Sequence, residues 1–191
     1  NLRDVIPTAE NSSNFNVVPE SITEVGTTLE NLKAAVCGET GASAKYAAKE
    51  QGFDQIARLF EATSAAEQIH IGLEAGVIAE IEPGYERPAA PEAEGIATDL
   101  NLIAGALGEI YETSDMYPSF IKALKKAEFV FTRAKLAEAV HAELYMDAYN
   151  NIDAPTDEAY YLCPICGYIH KGDDFEKCPI CFTPADKFRK F

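Results

Sequence analysis

The spacing of apolar residues predicts a mostly helical chain, with two helices in its first half. The first helix is predicted to begin at Thr28, placed to cap it, to stop near Gly52, and to bury a face formed by Leu29, Leu32, Ala35 and Val36. The second is predicted from about Asp54 towards Ile81, where Glu82-Pro83-Gly84 ends it. These two helices form a first hairpin.

A connection separates this hairpin from two further predicted helices. Residues 83–97 contain prolines among alanine, glutamate and glycine, and proline cannot continue a helix. A third helix is predicted from about residue 99 to the early 120s, with Pro118 as a kink or interruption. After a turn near 124–127, a fourth helix is predicted over residues 128–150.

The two hairpins resemble each other as an internal repeat. Segment 31–39 lines up with segment 101–109 at a shift of 70 residues. At a shift of 71 residues, Glu67 and His70 line up with Glu138 and His141. Each hairpin is therefore predicted to contribute an equivalent set of polar side chains.

These patterns divide the chain into three regions. Residues 1–27 are rich in asparagine, serine, threonine and proline without a sustained period, and are predicted to form an extended arm. Residues 28–152 are predicted to form a four-helix bundle. After a linker at 153–157, residues 158–191 are predicted to form a small cysteine-containing domain.

Composition narrows the partners and the compartment. The 191 residues include 31 acidic and 16 basic side chains, and the formal charge of -15 disfavours nucleic acid and anionic membranes as partners. No stretch approaches the roughly 18 apolar residues of a membrane span, and the amino terminus has no leader pattern, so a cytoplasmic location is expected. Five cysteines, four of them in two close pairs, favour a metal site in a reducing compartment.

Two short motifs predict a carboxylate-bound metal centre. Residues three apart share a helix face, so Glu67-x-x-His70 and Glu138-x-x-His141 each aim a carboxylate and an imidazole at one point. One glutamate from each remaining helix completes the ligand set of di-iron and di-manganese bundles, and Glu39 and Glu109 occupy these positions. Mixed carboxylate and imidazole ligation favours iron or manganese, with open positions suited to oxygen or peroxide.

Several neighbouring polar residues extend this centre. Glu112 lies one turn beyond Glu109 and is a candidate seventh ligand, the alternative being a solvated acid beside the ligands. Tyr46 and Tyr117 are candidates for hydrogen bonds to ligand carboxylates, the alternative being simple core packing. Ordinary surface charges are predicted for two other acids of the second helix, Glu61 and Glu74.

The cysteine pairs predict a second metal site. Cys163-Pro-Ile-Cys166 and Cys178-Pro-Ile-Cys181 are spaced to supply four thiolates in a tetrahedral arrangement, which zinc ribbons and single-iron sites share. The run 167–172 after the first pair favours a single-iron redox module over a nucleic-acid-binding ribbon. His170 is expected to be solvent-exposed rather than a ligand, and Cys37 to be a small buried residue.

Five stretches carry a resemblance to a known family. They are 38–46 (GETGASAKY), 59–70 (LFEATSAAEQIH), 108–118 (GEIYETSDMYP), 136–141 (LAEAVH) and 162–168 (LCPICGY). In composition and order these stretches resemble the rubrerythrin family. The resemblance implies a ferritin-like four-helix bundle followed by a rubredoxin-like domain. Both hairpins look several residues shorter between their ligands than expected of the family, which points to absent residues at the hairpin tips.

The same resemblance implies the roles of the site residues. Glu67 and Glu138 would bridge two irons of a di-iron-oxo centre, with Glu39 on one iron and Glu109 and His141 on the other. Glu112 and His70 would alternate as ligands of the first iron when the centre is reduced. A third iron would be held by four thiolates, those of Cys163, Cys166, Cys178 and Cys181.

The activity that the resemblance implies is reduction of hydrogen peroxide to water, in defence against oxidative stress. Electrons would come from NADH through a separate reductase or a rubredoxin, and then through the four-cysteine iron. A homodimer is implied, with the cysteine domain of one subunit near the di-iron site of the other. The alternatives are a ferroxidase or iron-storage protein using the same bundle, and a structural metal-binding protein with zinc at the four cysteines.

Overall fold

The computed structural model describes residues 26–27, 30, 41–86, 96–123 and 127–191. Residues 1–25 of the predicted arm, Cys37, Glu39 and residues 87–95 of the predicted connection lie outside these residues. The described helices are α1 (Gly41–Glu50), α2 (Asp54–Ile81), α3 (Thr98–Tyr111), α4 (Tyr117–Ala123) and α5 (Glu128–Asn150), with a π turn at Glu112–Met116 between α3 and α4. The prediction of a mostly helical chain is therefore confirmed.

The helix ends follow from local chemistry. Gly52 has φ +83° and stops α1, as predicted, because glycine adopts this left-handed conformation without strain. The start of the first predicted helix is marked by Thr27, not Thr28. Thr27 donates its backbone N–H to the Glu30 carboxylate at 2.7 Å, and the Glu30 N–H donates to the Thr27 hydroxyl at 3.3 Å. This reciprocal capping box shows that the predicted cap was wrong by one residue.

The predicted interruption at Pro118 is confirmed as a π turn. The N–H of Tyr117 donates to the carbonyl of Glu112, five residues earlier, instead of the usual four. Proline has no N–H for a helical hydrogen bond, and its ring clashes with the carbonyl four residues before it. The additional residue in the turn accommodates this defect while the helical direction continues into α4.

The helices bury two apolar clusters. One includes Leu59, Phe60, Leu102 and Tyr145, and the other is formed by residues of the opposite end of the bundle, among them Ile71, Ile78, Tyr117, Phe120 and Phe131. In the first cluster, a Cβ on Gly105 would lie 2.9 Å from the ring of Tyr145, so glycine allows α3 and α5 to approach closely. On α2, Glu67 and His70 lie between the two clusters.

The C-terminal domain has a small antiparallel sheet in the order β2-β1-β3, formed by β1 (Tyr160–Leu162), β2 (Ile169–Lys171) and β3 (Arg189–Lys190). A 3-10 turn at Ala185–Lys187 precedes β3. Buried residues of this sheet belong to the same apolar cluster as Leu59 and Phe60, so the domain packs directly on the bundle. Among the described helices, none is long and apolar enough to cross a membrane.

Candidate metal centres

Four sulfur atoms meet where the two cysteine pairs face each other. The Sγ atoms of Cys163, Cys166, Cys178 and Cys181 lie within 4.8 Å of one another, and the first three side chains are fully buried. The closest pairs are 3.4 and 3.5 Å apart, far longer than the roughly 2.05 Å of a disulfide. His170 is outside this cluster and contacts the side chains of Tyr168 and Asp174.

The protonation of these thiols indicates a cation site. Hydrogen bonds from the thiols of Cys166 and Cys178 lower the pKa of Cys163. Cys163 therefore ionises, while the neighbouring thiols keep their protons. The pKa of Cys178 is raised to about 12, mainly by its interaction with Cys163. A metal ion replaces such shared protons and allows all four sulfurs to ionise.

A second cluster joins three helices. Glu67 of α2, Glu109 of α3, and Glu138 and His141 of α5 each offer one ligand atom, and these atoms lie within 4.8 Å of one another. All four side chains are buried. Within the described part of the chain, several of their atoms have no hydrogen-bond partner: Glu67 Oε1, Glu109 Oε2, both oxygens of Glu138 and Nδ1 of His141. Buried carboxylates without partners are costly unless a cation neutralises them.

The orientation of two histidines identifies which nitrogen faces this cluster. The Nε2 atom of His70 lies 3.0 Å from the carbonyl oxygen of Cys166, and that of His141 lies 2.9 Å from the carbonyl oxygen of Gly167. A carbonyl oxygen can only accept a hydrogen bond, so each imidazole carries a proton on Nε2 and donates it. In the neutral ring, Nδ1 then holds a lone pair.

Both Nδ1 atoms point at the same carboxylate. Nδ1 of His70 is 2.5 Å from one oxygen of Glu138, and Nδ1 of His141 is 2.7 Å from the other, yet neither contact has the direction of a hydrogen bond. Lone pairs facing carboxylate oxygens at these distances repel one another unless a positive charge lies between them. The donor set therefore fits added metal ions, with the backbone carbonyls holding the rings in place.

The pKa values of the cluster also favour added positive charge. Burial raises the pKa of Glu67 and Glu109, and the nearby Glu138 raises both further. Burial alone would lower the pKa of His70, but Glu138 and Glu67 raise it well above its ordinary value. Burial also disfavours ionised Glu138, but His70 and His141 hold its pKa below the ordinary range. The site therefore attracts cations, either protons or metal ions.

The two sites meet within one chain. Cys166 belongs to the sulfur cluster, and its carbonyl and that of Gly167 accept the hydrogen bonds of His70 and His141. Gly167 has φ +76°, and a Cβ there would lie 2.9 and 3.0 Å from Cε1 and Cδ2 of His70, and closer still to Nε2. Glycine thus allows the backbone of the cysteine domain to touch the imidazole. The resemblance had implied such proximity between subunits.

The remaining predicted site residues lie at different depths. Glu112 is half-buried at the first position of the π turn, and its charge contributes to the raised pKa of Glu109. Tyr117 is buried and donates its hydroxyl to Glu74 at 3.0 Å. Tyr46 is 61% exposed, with the Lys45 ammonium 5.1 Å from its ring centre.

One buried acid was not predicted from the sequence. Glu74 was predicted to be a surface charge, but its side chain is completely buried. Glu61 is the surface charge that was expected, half-exposed and 3.7 Å from Lys45. The helical spacing could have predicted the burial of Glu74. Glu67, His70 and Glu74 follow each other at intervals of three and four residues and share one face of α2.

Comparison with known proteins decides the family. The family model for rubrerythrin matches residues 30–149, and the model for the rubredoxin-like domain of rubrerythrins matches residues 161–189. The chain belongs to the rubrerythrin family. The ferritin-like bundle and the rubredoxin-like domain implied by the motifs are thereby confirmed, as are the rubrerythrin-like di-iron site and the four-cysteine rubredoxin-like site.

Rubrerythrins with known sequences or structures match along the chain. Nigerythrin from Nitratidesulfovibrio vulgaris is 63% identical over 200 aligned positions, covering 100% of this chain and 99% of the relative. Rubrerythrin from the same organism is 31% identical over 179 positions, covering 84% of this chain and 92% of the relative. The structure of fully reduced, all-ferrous nigerythrin matches with a TM-score of 0.89 and 65% identity, covering 97% of both chains.

The alignment with nigerythrin shows a difference in length between the two chains. It contains 200 positions for 191 residues, so at least nine positions of the relative have no counterpart here (200 − 191 = 9). A partially reduced nigerythrin structure nevertheless matches with a TM-score of 0.88 and 64% identity, covering 97% of both chains. The missing positions therefore leave the family fold intact.

Proposed function

We propose that this rubrerythrin reduces hydrogen peroxide to water at its carboxylate and histidine centre, with electrons supplied through the four-cysteine iron. The observation that carries the proposal is the direct contact between the sites. One hydrogen bond joins the backbone of Cys166 to His70, and another joins Gly167 to His141. A storage site has no use for such a connection, whereas an enzyme that must be recharged with electrons after each turnover needs one.

The residues present fit a pair of irons in the bundle. Glu67 and Glu138 are proposed to bridge the pair, with Glu109 and His141 on one iron and Glu39 on the other. The convergence of buried ligand atoms from α2, α3 and α5 supports this assignment. When bound, the iron pair supplies two electrons at once, which is what cleavage of the peroxide O–O bond requires.

His70 and Glu112 are proposed to exchange as ligands between the oxidised and reduced states. Nδ1 of His70 already faces Glu138, so this ring needs little reorientation to bind. Glu112 begins a π turn, a local irregularity that is frequent at functional sites and offers the backbone an alternative register. A neutral imidazole replacing a carboxylate suits the lower charge of reduced iron.

The protein controls protons and water around the reaction. Reduction of one peroxide consumes two electrons and two protons and releases two waters. Glu67 and Glu109 are only 7% exposed, and Glu138 and His141 are wholly inaccessible, so bulk water is kept from the centre. The Nε2 protons of both histidines are engaged by carbonyl oxygens, which fixes the ring orientation through the cycle. Tyr46 is proposed to hydrogen-bond a ligand carboxylate, and Tyr117, whose hydroxyl donates to Glu74, is proposed to support the ligands through that contact.

The electron donor is proposed to be a reductase or a rubredoxin that draws on NADH, in the cytoplasm. Cys181 is the partly exposed ligand of the sulfur cluster, with exposed Ile165 and Phe182 nearby in sequence, which supports access to an outside donor at this edge. We also propose a homodimer, by analogy with the family. The relay itself is proposed to operate within one chain.

Turnover with two metal compositions tests the proposal. One form of the protein has iron at all sites. The other has zinc at the four cysteines and iron at the carboxylate centre. Both are supplied with NADH and a reductase, and the loss of peroxide is measured. We expect turnover only with iron at the four cysteines, because zinc has no redox chemistry. Equal turnover by both forms would contradict the relay. Iron uptake into a mineral core without peroxide loss would favour the ferroxidase alternative.

A further inference from the structure

Glu74 is a buried acid whose role the ligand set does not explain. Its side chain is fully inaccessible on α2, one turn beyond His70. Ile71 and Ile78, on the same face of the helix, belong to an apolar cluster. A carboxyl in such surroundings is disfavoured relative to an apolar side chain of similar size, so its presence calls for a function.

The partner of Glu74 is a predicted site residue. Tyr117 is 2% exposed and donates its hydroxyl to Glu74 Oε1 at 3.0 Å, while Glu74 Oε2 has no hydrogen-bond partner among the described residues. Burial raises the pKa of Glu74 to about 8, so the carboxyl is mainly neutral near pH 7. A neutral acid can accept the tyrosine hydrogen bond without adding another negative charge beside the ligand carboxylates.

Tyr117 in turn ends the π turn that carries Glu112. Its backbone N–H donates to the Glu112 carbonyl, closing the five-residue turn. The turn has a second anchor on the other side, where the Thr113 hydroxyl donates to the Lys135 carbonyl of α5 at 2.9 Å. The π turn is therefore tied to α5 through Thr113 and to α2 through the pair of Tyr117 and Glu74.

We propose that Glu74 is a positioning residue for peroxide reduction, which holds Tyr117 and thereby fixes the π turn that places Glu112. This inference rests on the proposed function, since it assigns Glu112 a place in the iron site. Glu74 lies on the same helix face as His70, the proposed alternative ligand to Glu112. One buried acid thus connects the backbone elements that carry both exchanging ligands.

Two substitutions at Glu74 separate the effect of its hydrogen-bond acceptor from the effect of its side-chain volume. Glu74→Gln keeps an oxygen that accepts from Tyr117, whereas Glu74→Leu keeps approximate volume and removes the acceptor. Tyr117→Phe removes the donor and gives the same information if Glu74→Leu fails to fold. Glu61→Gln, at an exposed acid of the same helix, is the matched control.

Each variant is loaded with iron, its metal content is measured, and kcat and KM for peroxide are determined with the spectrum of the oxidised iron pair. We expect Glu74→Leu and Tyr117→Phe each to lower kcat about tenfold with KM and iron content unchanged, and the double variant to be no worse than either. Glu74→Gln and Glu61→Gln should stay within about twofold of the parent.

The outcomes distinguish this inference from the function on which it rests. Parental kcat in Glu74→Leu, or losses that multiply in the double variant, would overturn the positioning role. A Glu74→Gln variant as impaired as Glu74→Leu would also overturn it, because the proton of the acid rather than its acceptor oxygen would then matter. If the parent lacks peroxide activity, the proposed function fails, and an altered oxidised spectrum in Glu74→Leu but not in Glu74→Gln still supports the positioning role.

Discussion

Replacing Gly167 by alanine is expected to separate the two metal sites while leaving each intact. A Cβ at this position would lie within 3.0 Å of three atoms of the His70 ring, whereas carbon atoms in ordinary contact are about 3.5 to 4.0 Å apart. The contact must therefore open by on the order of 1 Å. The φ of +76° adds roughly 1 to 2 kcal/mol of backbone strain for a residue with a Cβ.

Gly172→Ala provides a matched control for that strain. Gly172 has φ +88°, but a Cβ there would meet only Glu158 Oε1 at 3.4 Å and Asp174 Oδ1 at 3.6 Å. Both variants therefore strain the backbone of the cysteine domain, and only Gly167→Ala presses on His70. The difference between them isolates the contact between the domains.

The assay follows electron transfer out of the four-cysteine iron. Reduced protein is mixed rapidly with peroxide, and the return of the thiolate-to-iron absorption is timed. We expect Gly167→Ala to slow this return about tenfold or more relative to Gly172→Ala, since a displacement near 1 Å is enough to disrupt a positioned pathway. Equal rates in the two variants, with equal iron content, would refute the view that electrons cross through this contact.

Further predictions concern the ligands and Glu74. Cys178→Ser should weaken and shift the thiolate-to-iron absorption but keep the carboxylate-bound irons, and an unchanged absorption band would contradict the four-sulfur site. Glu138→Gln should reduce iron from about three to about one per chain by metal analysis, because both ions are expected to share this carboxylate. The pKa of Glu74 rises from about 4.5 in the unfolded chain to about 8 in the folded state. Between these values the folded state keeps a proton that the unfolded state releases. The free energy of unfolding therefore falls as the pH rises through this range. Denaturation of metal-free Glu74→Gln should show a shallower decline between pH 5 and pH 8, by up to about 1.4 kcal/mol per pH unit, and an unchanged slope would argue against a raised pKa.

Helical periodicity was sufficient to predict most of the elements. The bounds of α2 and α5 agree with the predicted ones because proline, glycine and the apolar spacing define them locally. The ligand motif was also local, since Glu67 with His70 and Glu138 with His141 each share one helix face. Local patterns did not predict which part of the structure each helix face packs against.

The contact between His70 and Cys166 illustrates this limit. Its residues are 96 positions apart, and no periodicity links a backbone carbonyl to a distant imidazole. The prediction that Glu74 is exposed was wrong for a related reason. A glutamate on a helix is usually solvated, and only the packing of α4 against α2 shows that this one is buried. The capping error at Thr28 arose because two adjacent threonines offer the same side chain, and only Thr27 has Glu30 three residues later.

The central claim is that peroxide withdraws electrons from both metal sites of one chain. Fully reduced protein with about three ferrous ions per chain is titrated anaerobically with peroxide while the thiolate-to-iron absorption is recorded. Three ferrous ions hold three electrons and each peroxide takes two, so we expect about one peroxide per chain to restore the absorption in full, with the third electron left on the carboxylate-bound pair. Consumption of about one peroxide per chain, with the four-cysteine iron still reduced, would show that the two sites are not connected and would contradict the account.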